Sequence, residues 1–488
     1  MNRREFIAAG AAAGVGAAIL AAPGLERARA ATAPYTWYRP VVNGGMCNVI
    51  AADPNTAAAF YAGGDMYGEH STFDAGSSWT PMMWGASSIG DTYARAVAAS
   101  LISPGTAYYG IATLASGGGH FAVCSGYKIE YRSSAVGFGT ALGSGKGGVM
   151  PRPVGSMIDV TMTGGVETIW VASSKGIAYS TDQGHTWHIS AGTSAMYRAI
   201  AQLSPTSALA ALYNTSGLTL VSGGVVSHPA APGIIHDLKR INTSVYACGP
   251  GGVYTWNGTT LVPIASNSFF AGSVPVSIDG VGQTIVVGCN TPGTKCAALS
   301  TDGGASWTWL GGRQILKLRN GNPYWLSGQT NGFGGPNYAV SQVAVDKQNP
   351  LNVMFAGRSG VWASTDGCKT IYPVGPGGSE DTSVKVGPGA AEFACTDVDW
   401  KCLHTTDGWQ TMNRLGTAPG GNTGLTTTVG GVTYTVKKGQ PCDITKNGVS
   451  IANDYYRGAA PLAKCVGANL AGMVTIGLYG GGVLVGHP

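Results

Sequence analysis

Two aspartates occur in matching contexts far apart in the chain. Asp65 ends the run F-Y-A-G-G-D, nine residues before Asp74, and Asp397 ends the run F-A-C-T-D, ten residues before Asp407. Each follows a strand-like apolar run, so each is expected in the loop after a β-strand. Two carboxylates that flank a glycosidic bond can hydrolyse it, because one protonates the leaving oxygen and the other activates water. Asp65 and Asp397 are therefore the candidate catalytic pair, although turn-capping acids would fit the same positions.

Sugar-binding surfaces also use aromatic side chains that stack on pyranose rings. Four aromatic residues near the predicted loops are candidates for substrate binding: Tyr67, Trp84, Trp325 and Trp400. Filling the interior of the fold is the alternative role for each of them. Trp400 differs from the others because it lies between Cys395 and Cys402, where a role in the core is harder to explain.

An eight-residue pattern, S/T-x-D-x-G-x-S/T-W, marks the elements that must position these residues. It occurs at 72–79, 180–187 and 300–307, and altered copies occur at 364–371 and 405–412. These residue types are typical of a tight hairpin, since the Asp accepts backbone N–H bonds across the turn and Gly supplies a positive φ. The aspartates of the pattern are thus predicted to be structural: Asp74, Asp182, Asp302, Asp366 and Asp407.

The pattern resembles the Asp-box, or BNR, repeat of β-propellers, which include sialidases, sortilin-type receptors and the xyloglucan-cleaving family-74 glycoside hydrolases. This resemblance concerns fold, because the same blade occurs in enzymes and in binding proteins. It implies an all-β propeller of four-stranded blades. Apolar alternation interrupted by glycine-rich turns gives about 8–10 blade units. Two smaller propellers, separated near residues 330–338, are the alternative.

Composition agrees with this fold class. The chain has 77 Gly among 488 residues and only 11% charged residues, so it is rich in turns and poor in the residues that build surface helices. The last unit, at 473–486, lacks an outer strand, and the unassigned segment 36–42 could supply it. Pairing of the two ends would remove exposed sheet edges and close the structure.

The first thirty residues have the pattern of an export signal. Arg3 and Arg4 precede an apolar Ala/Gly-rich run, and Ala28-Arg29-Ala30 has the form of a cleavage site. The segment resembles a twin-arginine signal. Residues 1–30 are therefore predicted to be removed, and 31–488 to form a propeller region that is secreted or held at the cell envelope, with no integral membrane span. An uncleaved N-terminal anchor is the alternative.

Charge and cysteine content narrow the choice of partners. The formal net charge of +5 is too small to predict a nucleic-acid partner, and no cofactor is predicted. Ten cysteines, an even number in an exported chain, permit disulfides. Cys289 and Cys296 bracket one hairpin loop, and Cys395 and Cys402 bracket another, so a disulfide is predicted across each neck. These separations without clustered His do not predict a metal site.

Longer stretches resemble family-74 glycoside hydrolases. In order, they are Y-T-W-Y-R-P-V-V-N-G-G at the mature start, F-Y-A-G-G-D at 60–65, G-K-G-G-V-M-P-R-P-V-G-S-M before the third unit, and G-F-G-G-P-N-Y-A-V-S-Q-V-A-V-D-K-Q-N-P at 332–350. The resemblance implies a general base at Asp65, a general acid at Asp397, and a xyloglucan or related β-1,4-glucan as the substrate. The glycine pairs that the family has after its acids are replaced here by bulkier residues.

Two other functions stay open from the sequence. The family normally has two seven-bladed propellers with the substrate between them, and this chain is too short for both, so a non-catalytic propeller that binds a glycan or a protein is one alternative. An exo-sialidase is the other, because Tyr38-Arg39-Pro40 resembles the sialidase Arg-Ile-Pro opening without the Ile. That activity requires three arginines around the sialic acid carboxylate, and Arg39, Arg95 and Arg358 are available.

Overall fold

The computed structural model describes residues 35–38, 47–64, 68–86, 93–112, 119–138, 156–264, 266–291, 293–311, 339–357, 360–374, 381–386, 393–397, 402–405, 413–415, 421–438, 442–459, 463–478 and 482–488. These residues contain forty β-strands, one α-helix, α1 (Asp454–Ala459), and two short 3₁₀ helices (Asn267–Phe270 and Gly293–Lys295). None of these helices has the length and apolar character that crossing a bilayer requires. The protein is therefore nearly all-β in the part that the structure describes.

The strands form ten four-stranded antiparallel sheets, numbered here along the chain. Sheet 1 is β2 (Cys47–Ala52), β3 (Phe60–Gly64), β4 (Glu69–Thr72) and β5 (Thr80–Pro81); sheet 2 is β6 (Tyr93–Ala99), β7 (Thr106–Ala112), β8 (His120–Ser125) and β9 (Lys128–Ser133). Sheet 3 is β10 (Ile158–Thr163), β11 (Val166–Ser173), β12 (Gly176–Ser180) and β13 (His188–Ile189); sheet 4 is β14 (Tyr197–Ser204), β15 (Ser207–Leu212), β16 (Leu218–Ser222) and β17 (Val225–Ser227).

The next three sheets follow the same order of strands. Sheet 5 is β18 (Asp237–Ile241), β19 (Ser244–Gly249), β20 (Gly252–Trp256) and β21 (Leu261–Pro263); sheet 6 is β22 (Pro275–Val281), β23 (Thr284–Cys289), β24 (Ala297–Ser300) and β25 (Thr308–Trp309). Sheet 7 is β26 (Val340–Val345), β27 (Val353–Gly357), β28 (Gly360–Ser364) and β29 (Tyr372–Pro373).

The last three sheets use the C-terminal part of the chain and one N-terminal strand. Sheet 8 is β30 (Asp381–Val386), β31 (Phe393–Asp397), β32 (Cys402–Thr405) and β33 (Asn413–Leu415); sheet 9 is β34 (Thr426–Val429), β35 (Val432–Lys437), β36 (Asp443–Lys446) and β37 (Val449–Ser450). Sheet 10 is β38 (Ala463–Ala468), β39 (Val474–Leu478), β40 (Gly482–His487) and β1 (Thr36–Tyr38).

Sheets 1–7 pack side by side through their first strands and close on themselves. The strand β2 contacts β6, β6 contacts β10, β10 contacts β14, and the series continues through β18 and β22 to β26. The strand β26 then contacts β2, so these seven sheets form a closed ring, called the ring below. The first strand of each sheet is innermost, which is the arrangement of blades in a propeller.

The closure between sheets 7 and 1 is a buried apolar contact. Ile50 and Trp79 of sheet 1 pack in one cluster with Met354 and Val374 of sheet 7. The indole Nε1 of Trp79 donates to the Val374 carbonyl at 3.0 Å, and the N–H of Ile50 donates to Gln342 Oε1 at 2.7 Å. Burial of these side chains, which stabilises by roughly 1.5–3 kcal/mol for each large apolar group, holds the ring closed.

Sheets 8, 9 and 10 form a second group, called the arc below. The strand β34 contacts β38, and β38 contacts β30, so sheet 10 lies between sheets 9 and 8. In the ring the second strand of one sheet contacts the first strand of the next, as β3 does with β6. Since β35 contacts β38 and β39 contacts β30, the order in the arc is sheet 9, sheet 10, sheet 8. The chain therefore leaves sheet 8 at one end of the arc and enters sheet 9 at the other.

The two ends of the described chain pair with each other in sheet 10. The strand β1 runs antiparallel to β40, with Trp37 opposite Gly486. The Trp37 indole donates to the Ile451 carbonyl at 3.0 Å, and its ring lies 4.7 Å from the ring of Tyr456, measured between centroids. The predicted pairing of the terminal segments is confirmed, and it supplies the outer strand of sheet 10.

The eight-residue pattern forms the same turn in sheets 1, 3, 6 and 7, between the third and fourth strands. At 300–307, Asp302 accepts from the Ser300 hydroxyl at 2.7 Å and from the Ser306 N–H at 2.9 Å, while the Gly304 N–H donates to Ser300 Oγ at 2.8 Å. Equivalent bonds form around the aspartates of the other three copies: Asp74, Asp182 and Asp366. The predicted structural role of these four aspartates is confirmed.

The turn bonds make the charge of Asp302 a source of stability. The Ser306 hydroxyl, the Ser306 N–H and the Ser300 hydroxyl lower the pKa of Asp302 to about 2, from an ordinary value of 3.8. Its contribution is present above pH 3.8 and is lost as the pH falls through 2. Asp302→Asn is therefore expected to lower Tm by a few degrees at neutral pH and to lose less further stability than the wild type between pH 4 and 2. Calorimetry at pH 4 and pH 2 checks this. If both proteins lose the same amount of stability between these pH values, the expectation is contradicted.

The cysteine pairs differ from the prediction. Cys289 and Cys296 do lie at a hairpin neck, where the Cys289 N–H donates to the Cys296 carbonyl at 2.7 Å, but both are free, buried thiols in the structure. In the other hairpin Cys402 lies opposite Thr396 rather than opposite Cys395. The two cysteine pairs have the same spacing in sequence, but the strands of the second hairpin pair in a register that differs by one residue from that of the first. Neither predicted disulfide is shown.

Three predictions about export and fold fall outside the described residues. They are the export signal at 1–30, the subdivision near 330–338 and the turn role of Asp407. The sheet that follows 330–338, sheet 7, lies in the ring between sheets 6 and 1.

Candidate active site

The candidate acids follow or end the second strands of two sheets, sheet 1 and sheet 8. In sheet 1, β3 ends at Gly64, and Asp65 follows outside the described residues. In sheet 8, β31 ends at Asp397, whose backbone is described. One acid therefore belongs to the ring and the other to the arc. The second strands β3 and β31 both end at the sheet edge that lies opposite the turns of the eight-residue pattern, because neighbouring strands are antiparallel.

Strand register relates Asp397 to Gly64, the last described residue of the second strand of sheet 1. The strand β2 is bulged just after Cys47, which lies opposite Gly64. The strand β30 is bulged just after Asp381, which lies opposite Asp397. Asp397 thus takes in sheet 8 the register position that Gly64 takes in sheet 1.

Sequence analysis missed Asp381, the cross-strand partner of Asp397. It opens the run D-T-S-V-K-V, whose alternation predicts a strand but does not show which residue of another strand it meets. A charged first residue is no distinguishing signal, because the inner strand β18 also begins with an aspartate, Asp237.

The arc meets the ring beside the loop that follows β3. The Met83 N–H donates to the Gly458 carbonyl of α1 at 3.3 Å, and the Tyr455 hydroxyl of α1 donates to the Trp79 carbonyl at 3.3 Å. Met83 also packs against Gly68, the first described residue after that loop. The helix α1 therefore fixes the arc against sheet 1 at the same edge from which the loop with the candidate base emerges.

The contact at Gly458 is close enough to test by one substitution. A β-carbon at this position would lie 2.7 Å from the backbone oxygen of Pro81, which cannot move aside as a side-chain end can. Gly458→Ala is expected to lower the free energy of unfolding by about 1–3 kcal/mol, although Ala in an exposed helix raises it by up to about 1 kcal/mol. Urea unfolding measures the change. Gly233→Ala, whose β-carbon would have no atom within 4 Å, is the control, and equal effects at both sites would contradict the tight contact.

Trp84 lies at this junction and already has partners. Its backbone joins the hairpin of sheet 2, since the Trp84 N–H donates to the Tyr127 carbonyl and the Ile129 N–H donates to the Trp84 carbonyl, both at 2.9 Å. Lys128 Nζ lies 4.8 Å from the centroid of the half-buried indole, and the Arg457 guanidinium carbon lies 5.7 Å from it. These cation–π contacts link sheet 2, the Trp84 segment and α1.

The other candidate residues are not brought together by the described part of the chain. The predicted substrate-binding residues outside it are Tyr67, Trp325 and Trp400, and Arg39 and Arg358 of the sialidase hypothesis also lie outside it. Arg95 is half-buried in β6, and burial lowers the pKa of its guanidinium.

A cavity of about 310 Å³ lies between the inner strands of the ring. Its charged lining includes Asp159, Lys239, Asp279 and Lys347. Lys347 Nζ donates to Asp279 Oδ1 at 2.6 Å. Burial alone would lower the pKa of Lys239, but the carboxylates of Asp279, Asp159 and Asp237 raise it above its ordinary value. Opposite charges therefore compensate each other in this cavity. Among the described residues, no group of three or more His, Cys, Asp or Glu could hold a metal ion.

Comparison with known proteins supports the fold. No family model and no curated protein sequence matches the chain. Among solved structures, the GH74 xyloglucanase from Xanthomonas campestris matches with a TM-score of 0.63 and 12% identity, over 93% of this chain and 100% of that chain. A GH74 enzyme from Niastella koreensis matches with a TM-score of 0.56 and 15% identity, over 90% of this chain and 77% of that one. At these identities the likeness concerns the fold, which is that of the propeller-containing GH74 structures.

Proposed function

We propose that this protein is an exported glycoside hydrolase that cleaves a β-1,4-glucan of the xyloglucan type through Asp65 and Asp397. The observation that supports it most is the distribution of the two acids. One follows a second strand of the ring, the other ends a second strand of the arc, and the ring and the arc meet at α1 beside the first of them. In this proposal the polysaccharide extends across the ring and the arc and reaches both acids.

The proposed reaction inverts the anomeric centre. Asp397 gives its proton to the glycosidic oxygen as the C–O bond breaks, and Asp65 takes a proton from the water that attacks the opposite face of the sugar. The new C–OH bond contains the water oxygen, and the two carboxyl groups exchange their protons with solvent before the next turnover. An inverting pair needs a separation of roughly 6.5–9.5 Å to admit that water. No cofactor or metal takes part in the proposal.

Binding of the polysaccharide is assigned to aromatic residues near the junction. In this proposal Tyr67, Trp84, Trp325 and Trp400 contact sugar rings, with the exposed part of the Trp84 indole available beside its cationic neighbours. The twin-arginine-type signal at 1–30 would place the protein outside the cytoplasm, where such polysaccharides occur.

The direct test is an assay for reducing ends released from xyloglucan, mixed-linkage β-glucan and carboxymethylcellulose by the processed protein, with product anomers followed by NMR. Release from xyloglucan, with the inverted anomer formed first, would support the proposal. A fluorogenic sialoside assayed in parallel tests the exo-sialidase alternative. Activity on the sialoside alone would overturn the glucanase proposal.

A non-catalytic glycan-binding protein is the second candidate. The observation that favours it is that the described residues form an arc of three sheets beside the ring of seven. Calorimetric binding of xyloglucan oligosaccharides without any turnover over a day would favour this candidate. Measurable turnover that depends on both acids would exclude it.

A further inference from the structure

The cavity between the inner strands of the ring has a wall of two kinds. Its volume is about 310 Å³. Charged residues contribute one part of the wall, with cations at Lys239, Arg240 and Lys347 and carboxylates at Asp159 and Asp279. Apolar residues contribute the other part: Ile50, Leu101, Val160, Met162, Ile278 and Val343. A cavity of this size that combines an apolar wall with a few polar groups is the usual form of a small-molecule site.

The charges around the cavity balance one another. Lys347 Nζ donates to Asp279 Oδ1 at 2.6 Å. Asp237 lies just behind the wall and is fully buried. It joins Asp279 and Asp159 in offsetting the charge of Lys239. A charged molecule that entered the cavity would add a charge without a counter-charge in a place partly removed from water, which costs free energy. The ligand that fits best is therefore neutral.

Hydrogen-bonding capacity is left over among these balanced charges. Asp159 Oδ2 accepts from the Gln202 N–H at 2.7 Å, and Asp279 Oδ2 accepts from the Val345 N–H at 2.9 Å. A carboxylate has about four lone-pair sites, so each of these two keeps capacity for a further donor. Lys239 interacts with the carboxylates through its charge, and its ammonium group has N–H donors to offer to a molecule in the cavity. Donors and acceptors side by side suit the hydroxyl groups of a neutral ligand.

The cavity reaches the edge of the ring that lies opposite the candidate acids. Pro54, Leu101, Asn242 and Lys347 line it, and each comes shortly after the end of an inner strand: β2, β6, β18 and β26 respectively. The inner strands are antiparallel to the second strands, so they end at the edge where the turns of the eight-residue pattern lie. A molecule that enters the cavity from this edge is separate from a glucan at the candidate active site.

We propose that the ring cavity binds a neutral monosaccharide, with its hydroxyl groups on Lys239, Asp159 and Asp279 and its apolar ring face against the apolar part of the wall. A sugar ring fits both parts because its faces carry C–H groups and its rim carries hydroxyl groups. Displacement of water from the apolar part favours binding, and the hydroxyl groups replace the hydrogen bonds of the water that leaves the polar part. This site goes beyond the proposed function and needs neither Asp65 nor Asp397.

NMR titration of the processed protein with glucose and with xylose, observed on the sugar signals, tests the proposal. We expect saturable binding of at least one of them with a Kd of about 1 mM or tighter. Ala51 is half-buried in the innermost strand β2 and lines the cavity. Ala51→Leu should weaken binding at least about tenfold, because it fills part of the cavity and alters no charge. Ala57→Leu, at an exposed position in the turn after β2, is the matched control and should leave the Kd unchanged.

A second variant tests the polar part of the wall. Lys239→Met should also weaken binding, because it removes the donors that face the sugar. It also removes the charge that offsets three carboxylates, so its Tm is measured on the same sample. If Lys239→Met does not fold, Ala51→Leu still decides the location of the site.

Three results would overturn the proposal. They are the absence of saturable binding at sugar concentrations well above the expected Kd, a Kd that Ala51→Leu changes no more than Ala57→Leu does, and a preference for phosphate or glycine over both sugars. The outcome is separable from that of the proposed function. Binding that persists in Asp65→Asn, in a protein that hydrolyses no glucan, would support the cavity site and reject the hydrolase. Hydrolysis of xyloglucan without binding of either sugar in the cavity would do the reverse.

Discussion

Replacing Asp65 or Asp397 by asparagine is expected to slow hydrolysis of xyloglucan by about 100- to 10,000-fold while the fold stays intact. The amide has nearly the size of the carboxyl group but can neither give nor take the proton that the reaction moves. The loss corresponds to about 3–5 kcal/mol of activation free energy. Initial rates of reducing-end release, with circular dichroism and Tm measured on the same samples, check the expectation.

Asp302→Asn is the matched control for those substitutions. It makes the same chemical change, but in a turn at the opposite edge of the sheets, where Asp302 bonds to Ser300 and Ser306. Its rate per folded molecule should equal that of the wild type although its stability is lower. Hydrolysis that survives both Asp65→Asn and Asp397→Asn would show that the catalytic pair has been wrongly assigned.

Asp279→Ala is expected to be the most destabilising of the charge changes in the ring, at about 3–5 kcal/mol. Asp279 Oδ2 accepts from the Val345 N–H at 2.9 Å and Oδ1 accepts from Lys347 Nζ at 2.6 Å. The side chain also compensates the charge of Lys239. Its loss would leave the Val345 N–H without its acceptor and Lys347 without its carboxylate partner, and would remove one of the three carboxylates that stabilise the charge of Lys239. Urea unfolding, followed by tryptophan fluorescence, measures the effect.

Two further variants show whether charge is the cause. Asp279→Ala combined with Lys347→Met removes the ammonium group that has lost its carboxylate partner and should recover part of the lost stability. Glu130→Ala breaks the exposed ion pair with Arg132, at 2.9 Å, and should change stability by less than about 1 kcal/mol. If Glu130→Ala lowers the free energy of unfolding as much as Asp279→Ala does, compensation of buried charge is not the reason that Asp279 stabilises the protein.

Features of the fold that depend on residues close together in the sequence could be predicted. The turns of the eight-residue pattern depend on three or four side chains within one hairpin, as around Asp302, so their chemistry is visible in the sequence. The pairing of 36–42 with the C-terminal strands could be inferred because a strand was missing at one end of the chain and unassigned at the other.

Features that depend on packing between sheets could not be predicted. Nothing in the sequence shows that β26 returns to β2, because this contact joins residues hundreds of positions apart. Nothing in it shows either that sheet 10 lies between sheets 9 and 8, because the order of the sheets in the arc does not follow the order of the chain. Register is equally hidden: a bulge after Asp381 sets this residue opposite Asp397, and the pairing of β31 with β32 sets Cys402 opposite Thr396 instead of Cys395. The candidate site depends on both kinds of information.

The position of β1 has a consequence for how the protein is made. The ring occupies one continuous stretch of chain, 47–374, whereas the arc is built from segments on both sides of it. Trp37 emerges from the ribosome early, yet its neighbours Ile451, Tyr456 and Gly486 are synthesised last. The ring can therefore close during synthesis, while β1 waits unpaired until translation ends, and contacts of such long sequence separation form slowly.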